Sequence, residues 1–127
     1  MTFRRVFAVL AALLVLVVVA QFFLAASAAF DTAPKDESFG AHRTLGFVIV
    51  LFALLLTVVA ALARMPGRLI GMTALVAGLS ALQGLIRAVA EAFGDPAGTV
   101  VFGLHAVNAL AVLALAGTVA RRARARA

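Results

Sequence analysis

Two histidines, His42 in "FGAHRTLG" and His105 in "VFGLHAVN", are the only imidazoles among 127 residues, and each stands at the mouth of a long apolar run. A glutamine precedes each at nearly the same interval: His42 follows Gln21 by 21 residues, and His105 follows Gln83 by 22. Neutral imidazole ligates many transition metals and is a common axial ligand of haem iron. A bare zinc or copper ion normally wants three or four protein donors, yet the chain has no Cys and no carboxylate cluster beside its two histidines. A porphyrin needs only two, because it brings four donors and takes one axial ligand on each face. His42 and His105 therefore point to a haem, taken as haem b, if the fold carries both rings to one space.

Composition sets the fold that must do this. The chain is 65% hydrophobic and 13% charged, whereas ordinary soluble domains are about half apolar and about a quarter charged. Four apolar stretches, near 6–30, 42–63, 69–93 and 99–120, each reach the roughly 20 residues needed to cross about 30 Å of hydrocarbon as a helix. Backbone groups in lipid must pair internally, so helices are the expected form. "DTAPKDE", "MPGR" and "GDPAG" separate them, each with a Pro that favours a turn or a helix end. The expectation is an all-α, integral membrane four-helix bundle, one domain over 1–127.

The net charge of +6 concentrates at the ends and one loop, so it reads as membrane orientation and not as a nucleic-acid footprint. Arg4 and Arg5, Arg64 and Arg68, and "RRARAR" flank the helices on one side; Asp31, Asp36, Glu37 and Asp95 lie in the other loops. The positive-inside rule then places both termini and the middle loop in the cytoplasm of a multi-pass plasma-membrane protein. The first run also has the basic start and small-x-small "ASA" of a secretory signal, but it exceeds the about 7–15 apolar residues of a signal core and is read as a retained helix.

Each half of the chain is thus an outward helix with a Gln, a loop, and an inward helix with a His near its outer end. That is a repeat of parallel topology, related by an axis along the membrane normal. It sets the two histidine helices on a diagonal. At about 1.5 Å per residue, the two histidines and two glutamines fall at a common level in the outer half, where strongly polar groups should face the bundle interior.

Further residues join this candidate site. Gly46, one turn after His42, lets a flat macrocycle approach the backbone. Arg43 and Arg87 have the charge to pair with haem propionates, and Asn108 lies one turn below His105. Plainer readings stand beside these. Gln21 and Gln83 also suit interhelical hydrogen bonding, and Arg87 with Glu91 has the i,i+4 spacing of a local ion pair.

Joined to the preceding glutamines, "AHRTLG" and "LHAVN" resemble a family of small actinobacterial four-helix membrane proteins. More distantly, the chain resembles one four-helix half of heme A synthase, whose halves each hold a haem between histidines on their second and fourth helices. The resemblance implies His42 and His105 as axial ligands in the outer leaflet. Heme A synthase is about twice as long, and its enzymatic half has a carboxylate close to a ligating histidine; here Glu37 and Asp36 precede His42 by five and six residues. Synthase chemistry is not carried over, and the chain is not expected to be an enzyme by itself. The expected role is electron transfer or haem handling, with the lipid bilayer and a homodimer or larger membrane complex as partners. The alternative is a cofactor-free structural or accessory subunit of a membrane complex. No nucleophile–base pair or phosphate loop supports a hydrolase or NTPase.

Overall fold

The computed structural model describes residues 2–127. Four long helices, α1 (Phe3–Phe30), α3 (Gly40–Leu62), α4 (Gly67–Phe93) and α5 (Ala97–Arg124), are joined by short turns and one single-turn helix, α2 (Lys35–Ser38). All four are long and apolar enough to cross a membrane, and large apolar side chains such as Phe23, Leu51, Leu85 and Val107 point outward. That exterior suits lipid rather than water.

Local chemistry explains the helix ends. Thr2 caps α1 by accepting the Arg5 N–H through Oγ1 at 3.3 Å, and a proline precedes the first residue of α2, α4 and α5, where its missing N–H costs nothing. At the far end of α1, Lys35 Nζ donates to the carbonyls of Ala28, Ala29 and Asp31, pairing acceptors that a helix terminus leaves open. This contact fixes α2, a turn the expected helix spans did not include. α5 also runs four residues past the expected 120, because Arg121, Arg122 and Arg124 in its last turn complement the helix dipole.

α1 packs on α3 and α5, and α4 packs on the same two helices, so α3 and α5 face each other across a diagonal, as do α1 and α4. The seam between them follows one spacing. Phe7, Ala11, Leu14 and Val18 of α1 are buried, as are Ile49, Ala53, Leu56 and Ala60 of α3. Leu69, Thr73 and Val76 of α4 and Val112, Ala116, Val119 and Ala123 of α5 complete the core. Alternating steps of four and three residues are the heptad rhythm of knobs-into-holes packing, and the alanines let the helices approach closely. At the opposite end, Gly98 provides the close approach of α5 to α4: a side chain there would strike the Ala90 carbonyl.

That sealed core runs from mid-bundle, where Ile49 and Val112 lie, to the end that carries Arg4, Arg5, Arg64, Arg68 and the arginines after residue 120, here termed the basic end. The acidic end, with Asp31, Asp36, Glu37, Glu91 and Asp95, is packed differently.

Candidate functional site

Continuing the same seam toward the acidic end leads, by the same three- and four-residue steps, to a different set of side chains. From Val18 it reaches Gln21 and Ala25; from Ile49, Gly46 and His42; from Val76, Ser80 and Gln83; from Val112, Ala109 and His105. Every one of these eight residues lines a single cavity of about 220 Å³, with Phe22 among its other walls. Replacing large apolar knobs by Gly, Ala and Ser opens the space, and the four polar residues crown it.

The two imidazoles meet across the α3–α5 diagonal, with ring centroids 6.3 Å apart and planes at 48°. They do so from unequal depths in their helices: His42 lies in the first turn of α3 and His105 beyond the second turn of α5. α5 therefore begins about 9 Å farther out than α3 at 1.5 Å per residue.

Each ring is held by the same bond. Nδ1 of His42 lies 3.2 Å from the Gln21 carbonyl oxygen, and Nδ1 of His105 lies 3.3 Å from that of Gln83. A carbonyl only accepts, so both Nδ1 atoms carry the proton and the Nε2 lone pairs are left for other partners. A backbone carbonyl in this position fixes the tautomer and orientation of each ring. Each ring also touches the phenylalanine three residues before it. Phe39 meets His42 edge-on at 5.7 Å, and Phe102 stacks on His105 at 4.9 Å.

The glutamine side chains differ in their surroundings. Gln21 Nε2 donates to the His42 carbonyl at 2.8 Å and lies 3.4 Å from His42 Nε2, a distance at which a hydrogen bond is weak. Its buried Oε1 has no partner in the structure. A Cβ on Gly46 would sit 3.2 Å from Gln21 Nε2, so the missing side chain makes room for this amide. Gln83 Oε1 instead accepts from Asn108 Nδ2 at 3.0 Å, and the same Nδ2 donates to the Leu79 carbonyl at 2.8 Å. Asn108 thus anchors Gln83.

The two arginines assigned to propionates are engaged elsewhere. Arg43 donates to the backbone carbonyl of Asp36, tying α3 to α2. Arg87 pairs with Glu91 at 2.7 Å on the exposed face of α4, as the i,i+4 spacing allows. Neither lines the cavity, so each owes its position to a local partner. Phe39 and Phe102 did not enter the sequence reading, although "FGAH" and "FGLH" repeat the same Phe-Gly-x-His pattern and mark both aromatic neighbours.

Among known families, residues 21–90 match the family of unknown function DUF6220. The chain belongs to this family. The matched segment begins at Gln21, holds His42 and Gln83, and ends before His105. No curated protein and no solved structure matches the chain, so these comparisons draw no line to heme A synthase.

Proposed function

We propose that this DUF6220 protein is a small integral membrane haem-binding protein, with the Nε2 atoms of His42 and His105 as axial donors and electron transfer or haem handling as its role. The ring pair carries the reading. The two ring centroids lie 6.3 Å apart on the α3–α5 diagonal, close enough that His42 and His105 could hold one metal-centred group between them. The donor set fits: two imidazoles line one cavity, and among the described residues no third His, Cys, Asp or Glu joins them. A porphyrin is larger than the 220 Å³ cavity, which is partly open, so its rim would extend between helices toward lipid.

Bound haem would supply a one-electron couple, with His42 and His105 both engaged in holding it. The protein's own contribution is positional. The Nδ1–H bonds to Gln21 and Gln83 hold both rings in one tautomer and strengthen Nε2 as a donor. Gly46, Ser80 and Ala109 keep the space beneath the rings open. Charge distribution supports a bilayer orientation with both termini cytoplasmic, which puts the site in the outer half, and the paired Gln–His units support a parallel two-helix repeat. A homodimer belongs to the same proposal, since two copies would rebuild an eight-helix body; cross-linking that yields only monomers would exclude it.

One observation favours a cofactor-free accessory subunit. Asn108, Gln83 and the Leu79 carbonyl satisfy one another across α4 and α5, so part of the polar layer locks helices unaided. Visible spectroscopy separates the two readings. Protein purified from haem-replete cells is expected to show a Soret band that His42→Ala and His105→Ala each abolish while circular dichroism stays helical. A colourless, folded wild-type preparation rules haem out.

A further inference from the structure

We propose that the basic end carries a cleft for the phosphate of an anionic phospholipid, built by Arg4, Arg64 and Arg126. The three arginines come from the start of α1, the α3–α4 turn and the segment after α5, and line one cleft together with Phe3 and Leu62. Among the described residues none of the three makes a side-chain hydrogen bond or an ion pair; the one salt bridge is Arg87–Glu91, at the other end. No Asp or Glu lies at the basic end, because all five are Asp31, Asp36, Glu37, Glu91 and Asp95. Planar guanidinium forks match phosphate oxygens two at a time. Basic pockets between membrane helices are suited to anionic headgroups.

The apolar part of the cleft selects a lipid over a free anion. Phe3 and Leu62 are 64% and 63% exposed, and they lie beside the arginines. A headgroup can meet the guanidiniums while its acyl chains follow α1 and α3.

Arg64 adds an independent observation. Its φ of 51° is left-handed, and the turn is a Schellman motif: Met65 N–H bonds the Ala60 carbonyl at 3.0 Å and Arg64 N–H bonds that of Ala61 at 2.9 Å. Glycine is the usual residue at this position because it adopts the conformation without steric cost. Arg64 holds a conformation unfavourable to its own backbone, and it is one of the residues that line the cleft. Strain of this kind marks a functional position when a role for the side chain is at hand. This inference does not rest on the haem reading.

The test uses the full chain in non-ionic detergent, with lipid retention read by native mass spectrometry and stability by thermal unfolding. Phosphatidylglycerol is expected to be retained in preference to phosphatidylcholine and to raise Tm. Arg64→Gly should raise Tm without lipid yet lower phosphatidylglycerol retention about fivefold, and Arg4→Gln/Arg64→Gly/Arg126→Gln should lower it at least about tenfold. The charge-matched Arg5→Gln/Arg68→Gln/Arg124→Gln protein should retain most of its lipid. Equal losses in the two triple variants would overturn the cleft in favour of diffuse attraction, and so would undiminished retention by Arg64→Gly. Inorganic phosphate that displaces the lipid and reproduces its Tm gain would overturn the lipid assignment.

Discussion

At the basic end the bundle seam is filled by Phe7, Leu14, Leu56, Val76 and Val119, all essentially sealed from solvent. At the acidic end the same seam, on the same four helices, presents Gln21, Ala25, His42, Gly46, Ser80, Gln83, His105 and Ala109 around a cavity. Backbone rhythm is unchanged; only the side chains differ. Close packing at one end supplies the dispersion contacts that hold the helices together. That leaves the other end able to keep polar groups and empty space that would weaken a bundle built of them alone. A division of labour along one seam follows: one half holds the helices, and the other presents imidazoles.

Substitutions at matched depths test that division. Leu56→Ala removes a fully buried knob, and since lipid is as apolar as the core the cost is lost packing, about 2 kcal/mol or more, seen as a lower midpoint in denaturant or heat. Phe22→Ala at the cavity wall, where the side chain is only partly buried, should cost less than Leu56→Ala. Equal costs would show that the hollow end carries as much of the fold as the packed one. Gln83→Leu leaves one donor of Asn108 Nδ2 unpaired and frees nothing at the basic end; about 1 kcal/mol is expected in thermal unfolding. Arg87→Ala should change stability by no more than about 0.5 kcal/mol, because its pair with Glu91 is exposed.

Much of this architecture could be read from residue types. Four apolar stretches and their proline breaks gave helices in the right places, and the even placement of His42 and His105 after Gln21 and Gln83 anticipated rings meeting on diagonal helices. The bonds that orient the rings could not be read, because their acceptors are backbone carbonyls, which every residue has. α2 was hidden in "KDES", since one helical turn has no periodicity and depends on Lys35 reaching back to α1. The Arg87–Glu91 pair was legible in its i,i+4 spacing, whereas the bond from Arg43 was not, because its acceptor is the backbone carbonyl of Asp36. Arg64 is the instructive miss: a glycine would have announced the left-handed cap, and an arginine conceals it.

The level of His105 within α5 has one more consequence. Eight residues of the helix, about 12 Å, lie between it and the acidic rim, and nineteen, about 28 Å, separate it from Arg124. Because tunnelling decays steeply with distance, a redox centre at that depth would exchange electrons with carriers docking on the near side and be insulated from those on the far side. The protein would then act as a terminal on one surface of the membrane and not as a wire through it.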